Sequence, residues 1–120
     1  MATILVADDN PGMQRMLEYI LTRLGHHIVR VGSGVEVLRQ AEEAQPDLLI
    51  LDLAMPEMDG LAALHELRGD ERFRELPIIM LTASGLERDE RAARAEGVDA
   101  FLTKPFRSRE LVGKVDQLLG

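Results

Sequence analysis

The sequence predicts an α/β protein with a doubly wound, five-stranded parallel sheet and helices on both of its faces. Five short apolar runs alternate along the chain with five segments in which apolar residues recur at helical spacing. The connections are short, and no repeat, long linker or low-complexity segment interrupts the alternation. Residues 1–120 are therefore expected to form one domain.

The predicted strands are the five apolar runs. They cover residues 4–7, 27–31, 47–51, 77–81 and 100–103. The third run, DLLIL, is apolar on both faces, which is typical of a central strand that has helices on either side.

The predicted helices follow these strands. Asn10 and Pro11 have the residue types of a helix cap and of a first helical position. Ser33 and Glu36 form a capping-box signature. The five helical segments are 11–24, 33–44, 59–67, 87–96 and 111–119.

The composition limits the possible functions. The net charge of −7 opposes non-specific binding to nucleic acid, and with 3% aromatic residues and no Trp the chain offers little for base stacking. The chain has no Cys, so disulfides and thiolate metal sites are excluded. The apolar runs are shorter than a membrane span and residues 1–10 do not form a signal peptide, so we expect a cytoplasmic protein without membrane contact.

Polar residues of three chemical types stand at the ends of the predicted strands. Asp8 and Asp9 follow the first strand, and the third, fourth and fifth strands are followed by Asp52, Thr82 and Lys104. Ligands of such folds bind beyond the carboxyl ends of the strands, so these side chains are expected to converge. Three carboxylates suit Mg²⁺, and their charges sum to zero with those of Mg²⁺ and Lys104.

Each of these residues has an ordinary structural explanation when it is taken alone. Asp8 and Asp9 could be acids at a helix start, and Asp52 could be a loop acid. Thr82 could satisfy a strand end, and Lys104 could be a surface amine. Two carboxylates about 4 Å apart, however, repel by on the order of 4 kcal/mol at an effective dielectric constant of about 20. That cost and the joint occurrence of all five residues favour a cation site.

Four segments together resemble the receiver domain of two-component response regulators, of the chemotaxis-regulator type. They are ILVADDN (4–10), LLILDLAMPEMDG (48–60), IIMLTA (78–83) and AFLTKPF (100–106). The resemblance covers the whole chain, and the joint match is specific although each piece alone is weak. It implies the flavodoxin-like receiver fold with strand order 2-1-3-4-5.

The resemblance implies a role for each acidic residue. Asp52 would accept a phosphoryl group from a histidine kinase or a histidine phosphotransfer protein. Asp9, Asp52 and the backbone carbonyl of Ala54 would bind Mg²⁺, and Asp8 would act mainly through water.

The resemblance also implies roles around the phosphoryl group. Thr82 and Lys104 would contact its oxygens, and a cis peptide would precede Pro105. The domain would be a phosphoacceptor that assists its own phosphorylation and dephosphorylation, not an enzyme. Ala54 and Ser84 would flank the path of a hydrolytic water, and because Ala54 cannot orient water we expect a long-lived phosphorylated state.

The segment after the fourth strand is expected to respond to phosphorylation. Residues 87–96 include seven charged residues in ten, so their helix has little apolar surface with which to pack. Movement of Thr82 towards the phosphoryl group would leave space into which Phe101 could rotate. The fourth helix, fifth strand and fifth helix would then present a changed face to a downstream protein, an appended output domain or a second copy of the chain.

Three rival functions are less compatible with the sequence. A flavodoxin-like electron carrier needs a phosphate-cradling loop after the first strand, where ADDNPG is acidic. An Mg²⁺-dependent phosphatase with an aspartyl nucleophile would usually have a second carboxylate at the position of Ala54. A degenerate receiver that acts as a phosphorylation-independent binding module is the third alternative, and the intact Asp52, Thr82 and Lys104 disfavour it.

Overall fold

The structure is a computed structural model that describes residues 1–83 and 85–120. Its strands are β1 (Thr3–Ala7), β2 (His27–Val31), β3 (Leu48–Asp52), β4 (Ile78–Thr82) and β5 (Ala100–Thr103). Its helices are α1 (Pro11–Thr22), α2 (Gly34–Ala44), α3 (Gly60–Arg68), α4 (Glu87–Ala95) and α5 (Ser108–Leu119), and a 3₁₀ turn covers Glu71–Phe73. The strands pair in parallel in the order β2-β1-β3-β4-β5, which confirms the predicted fold and strand order.

The two central strands lie one residue later than predicted. Asp52 and Thr82 are therefore the last residues of β3 and β4, not the first residues beyond them. The pairing extends this far because Asp52 lies in register with Leu81, whose carbonyl accepts a hydrogen bond from the Leu53 N–H at 3.0 Å. The backbone positions of Asp52 and Thr82 are thus set by the strand pairing of the sheet.

The predicted helix caps are present. The side chain of Asn10 accepts a hydrogen bond from the Met13 N–H at 3.1 Å, and Pro11 is the first residue of α1. The Ser33 hydroxyl accepts from the Glu36 N–H at 3.2 Å at the start of α2. These caps set the point at which the chain leaves the carboxyl end of the sheet and enters a helix.

Several helix boundaries differ from the prediction by one to three residues, and one short element was missed. The largest difference is at α5, which begins at Ser108 where position 111 was predicted. α1 ends at Thr22, two residues early, where the Gly25 N–H turns back to the Thr22 carbonyl at 3.0 Å and Gly25 has a φ of 90°. α4 ends at Ala95, one residue early. The 3₁₀ turn was not predicted, and the side chain of Asp70 caps it.

The core consists of two apolar layers, one on each face of the sheet. Every residue of β3 and β4 is buried, because helices cover both faces of these strands. One layer includes Leu64 of α3 with residues of α2 and α4, and Phe101 packs against it. The other includes Leu17 of α1 and Leu111 of α5. None of the described helices is long and apolar enough to cross a membrane.

Gly60 allows α3 to begin directly against the end of β3. Its N–H donates to the Leu53 carbonyl at 2.8 Å, and a Cβ atom at this position would overlap the backbone carbonyl of Asp52. The backbone that carries Asp52 therefore depends on the absence of a side chain at position 60. Gly113 of α5, by contrast, is exposed, and a Cβ atom added there would meet no other atom within 4 Å.

We expect Gly60→Ala and Gly113→Ala to change stability in opposite directions. Gly60→Ala should lower the free energy of unfolding by about 1–3 kcal/mol, because the methyl group must displace backbone. Gly113→Ala, the matched control, should raise the free energy of unfolding by about 0.5–1 kcal/mol. Alanine has less conformational freedom than glycine in the unfolded chain and is more favourable inside a helix. Urea unfolding of both variants measures this, and equal effects would contradict the packing at Gly60.

Candidate functional site

The ends of adjacent strands bring three carboxylates together. Asp8 directly follows β1, Asp52 ends the neighbouring β3, and Asp9 begins the loop into α1. One side-chain oxygen from each lies within 4.8 Å of the other two. Asp8 and Asp52 are buried, at 1% and 5% exposure, while Asp9 is exposed. The convergence expected from the sequence is therefore present.

Lys104 brings a positive charge to this cluster from the end of β5. Its Nζ donates to Asp8 Oδ2 at 2.8 Å and lies 3.6 Å from Asp52 Oδ2. Its backbone N–H donates to the Thr82 carbonyl at 2.6 Å, and the peptide to Pro105 is cis, as expected. The three carboxylates and one amine carry a formal charge of −2 (three negative, one positive).

Asp8 is held on both sides of its carboxylate and along its backbone. Its Oδ1 accepts from the Asn10 N–H at 2.9 Å, and its Oδ2 accepts from Lys104. Its own N–H donates to the Val31 carbonyl at 3.1 Å. These contacts fix the position and orientation of the Asp8 carboxylate in the site.

Gln14 contacts this region and was not singled out in the sequence. Its side-chain amide donates to the carbonyl of Asp8 at 2.6 Å and to that of Val31 at 2.9 Å. The available signal was its position on α1, where it shares a face with the buried Leu17 and Leu21 at spacings of three and seven residues. A polar residue in a buried stripe indicates an internal hydrogen bond.

The other predicted site residues lie around the carboxylates. Thr82, at the end of β4, is 3% exposed. Ala54 is exposed in the loop after β3, and its N–H points to Asp52 Oδ1 at 3.4 Å, which is long for a hydrogen bond. Phe101 is half-buried. Ser84 lies outside the described residues.

The electrostatic environment opposes ionisation of Asp52. Burial raises the pKa of its carboxyl above the ordinary value of 3.8, and the nearby charge of Asp8 raises it further. Lys104 and the Ala54 N–H act in the opposite direction, and Asp9 again raises this pKa. Burial and the neighbouring acids outweigh Lys104, so the cluster lacks positive charge.

The donor atoms of the cluster fit a magnesium ion. Mg²⁺ binds to one or two carboxylates and keeps several of its waters, which suits a group that is partly buried and partly open through Asp9. A divalent cation would also cancel the formal charge of −2. Asp8, whose two oxygens already accept hydrogen bonds, is the acid with the least remaining capacity for direct ligation.

Comparison with known proteins gives the family. The family model described as "Response regulator receiver domain" matches residues 4–116. The chain belongs to this family. It is a receiver domain of two-component signalling, as its sequence motifs predicted, and the acidic pocket at which receiver domains typically bind Mg²⁺ is present in it.

Individual relatives agree with this assignment. The chain is 36% identical over 119 residues to the DNA-binding dual master transcriptional regulator RpaA of Synechocystis, covering 99% of this chain and 49% of that protein. It therefore spans about half the length of that curated relative.

Solved receiver domains have the same fold. The receiver domain of a signal transduction histidine kinase from Syntrophus aciditrophicus is 36% identical, with a TM-score of 0.92 over 99% of this chain and 90% of that one. The receiver domain of sensor histidine kinase PA1611 from Pseudomonas aeruginosa is 34% identical, with a TM-score of 0.91 over 99% and 98% of the two chains. That structure has a magnesium ion coordinated in its active site cleft.

We expect Asp52→Asn to stabilise the metal-free protein. Because the folded-state pKa of Asp52 is raised, its contribution to stability is present at low pH and is lost as pH rises through that pKa. At pH 7 the substitution should raise the free energy of unfolding, and the gain should vanish as pH falls towards the ordinary carboxyl pKa of 3.8.

The measurement is urea unfolding in chelator at several pH values. The control is Glu75→Gln, which changes the net charge equally at an exposed position. A loss of stability in Asp52→Asn at pH 7, or a gain no larger than that of Glu75→Gln, would contradict the electrostatic account of the site.

Proposed function

We propose that this domain accepts a phosphoryl group on Asp52 in a reaction that depends on Mg²⁺. The donor would be the phosphohistidine of a histidine kinase or of a histidine phosphotransfer protein. The observation that carries the proposal is the meeting of Asp8, Asp9 and Asp52 within 4.8 Å, with Lys104 against two of them, in a chain of the receiver family. The domain would be a phosphoacceptor that assists its own phosphorylation and dephosphorylation.

The chemistry proposed for Asp52 is a phosphoryl transfer between two nucleophiles. A carboxylate oxygen of Asp52 forms a bond to phosphorus as the bond from phosphorus to the donor imidazole nitrogen breaks, and the imidazole leaves with that electron pair. Bound Mg²⁺, held by Asp9, Asp52 and the carbonyl of Ala54, would supply positive charge to the phosphoryl oxygens. Lys104, already 3.6 Å from Asp52 Oδ2, would neutralise further charge on the transferring group.

The transfer changes the charge of the site. Asp52 carries −1 before the reaction, and the acyl phosphate carries about −2 afterwards. Groups that can donate hydrogen bonds or carry positive charge are therefore drawn towards position 52. The candidates are the hydroxyl of Thr82, which ends β4, and Lys104, which follows the neighbouring edge strand β5.

The contacts of α4 support a response at its amino-terminal end. Of its residues, Ala93 is the one that is buried. Arg68 of α3 donates to the Gly97 carbonyl at 3.0 Å and pairs with Asp99 at 3.0 Å, and His65 contacts Glu96 at 2.8 Å. These contacts hold the carboxyl end of α4. Its other end begins five residues after Thr82 and is therefore the end that we expect to move.

The response surface would comprise α4, β5 and α5. Phe101 of β5 packs partly buried against the layer that includes α4, so its rotation would link Thr82 to this surface. A downstream protein, an appended output domain or a second copy of the chain would bind there. RpaA is described as DNA-binding, and this chain covers about half of it. Because the net charge of −7 opposes binding to nucleic acid, we propose for the present domain a signalling role without direct nucleic-acid binding.

We expect acetyl phosphate with Mg²⁺ to label Asp52. Mass spectrometry should find one added phosphoryl group on that residue and none after chelation of Mg²⁺. Asp52→Asn should abolish labelling, Asp9→Asn should slow it sharply by removing an anionic ligand, and Asp116→Asn on the exposed part of α5 should leave it unchanged. Full labelling of Asp52→Asn would falsify the assignment, and absence of labelling in the wild type would favour the phosphorylation-independent binding module.

We expect beryllofluoride with Mg²⁺, which mimics the phosphoryl group, to change amide hydrogen exchange mainly between residues 82 and 106. The change should be large at the start of α4 and in β5, and small near Gly97, where Arg68 holds the backbone. Asp52→Asn with the same additives is the control and should not respond. A response confined to Asp8, Asp9 and Asp52 would rule out the proposed switch.

A further inference from the structure

Gln14 connects α1 to the backbone that carries the two adjacent acids. Its half-buried side chain has two N–H groups, and they are directed at two backbone carbonyls, of Asp8 at 2.6 Å and of Val31 at 2.9 Å. The Asp8 N–H donates to the same Val31 carbonyl at 3.1 Å. The amide of Gln14 therefore holds the backbone of Asp8 to the end of β2.

The carbonyl that Gln14 contacts belongs to the peptide that joins Asp8 to Asp9. A peptide unit is planar, so the direction of the Asp8 carbonyl fixes the direction of the Asp9 N–H and the starting orientation of the Asp9 side chain. This peptide lies just beyond β1, which ends at Ala7. The hydrogen bond from Gln14 thus holds the Asp8–Asp9 peptide in place beyond the end of β1, up to the backbone nitrogen of Asp9.

The two acids differ in how much they depend on this contact. The Asp8 carboxylate is held independently, by the Asn10 N–H at 2.9 Å and by Lys104 at 2.8 Å. The Asp9 side chain is exposed, so its direction depends more on the backbone from which it projects. Loss of the Gln14 contact should consequently reach the carboxylate cluster through Asp9.

We propose that Gln14 is a positioning residue for the magnesium site, which it serves by fixing the Asp8–Asp9 peptide so that the Asp9 carboxylate faces Asp52. The proposal rests on the Mg²⁺ dependence put forward above. Residues that orient metal ligands typically contribute about 10–100-fold to metal affinity. Gln14 orients Asp9 through the backbone carbonyl of Asp8 and is not itself one of the acidic residues, so the acidic motif does not reveal it.

The test is the Mg²⁺ affinity of Gln14→Met, which has a similar length and no donor. Amide chemical shifts in a Mg²⁺ titration should give a dissociation constant about 10-fold weaker than that of the wild type. Gln117→Met, on the exposed side of α5, is the control and should bind as the wild type does. In an Asp9→Asn background, Gln14→Met should weaken binding less than about 2-fold, because the two substitutions act on one ligand.

A merely structural role gives different results. Unchanged affinity in folded Gln14→Met, or the same loss with and without the Asp9 carboxylate, would overturn the proposal while leaving the phosphoacceptor function intact. If Gln14→Met does not fold, Gln14→Glu replaces it: its extra negative charge alone would tighten Mg²⁺ binding, whereas loss of the donor should weaken it. Tighter binding would overturn the proposal, and failure of the wild type to bind Mg²⁺ would overturn the function on which it rests.

Discussion

The excess of negative charge at the carboxyl end of the sheet is the constraint on which the rest of the structure depends. Asp8, Asp9 and Asp52 meet within 4.8 Å, and Lys104 compensates one of their three charges. Burial removes much of the water that would otherwise screen Asp8 and Asp52. The two apolar layers of the core must hold the strand ends in place against this repulsion, and a divalent cation would relieve it.

The same strands connect this charge to the surface. Thr82 ends β4, and the chain continues from it into α4. Lys104 follows β5, and the chain continues from it into α5, so each residue connects the end of a strand to the next helix along the chain. The Lys104 N–H bonds to the Thr82 carbonyl at 2.6 Å, which links the two strand ends directly. Under the proposed function, a change of charge at Asp52 would act on α4 and α5 through these short connections, while the hydrogen bond from Arg68 to the Gly97 carbonyl would hold the far end of α4.

Most of the fold and the meeting of the strand-end residues could be predicted from the sequence. The range of β2, the caps at Asn10 and Ser33 and the convergence of strand-end residues follow from apolar runs, capping types and parallel topology. The one-residue extension of β3 and the contacts of Gln14 could not, because each depends on a partner distant in sequence. Gln14 meets Val31 seventeen residues away, and no local pattern encodes that meeting.

The most direct test of the account is the free energy of unfolding as a function of Mg²⁺ concentration. If one cation relieves the carboxylate repulsion, the stability of the wild type should rise with the logarithm of Mg²⁺ concentration above the dissociation constant, with a slope of one ion per chain. Asp9→Asn should shift this rise to higher concentration. Stability that does not depend on Mg²⁺, or that rises equally in Asp9→Asn, would contradict the claim that these carboxylates form a cation site.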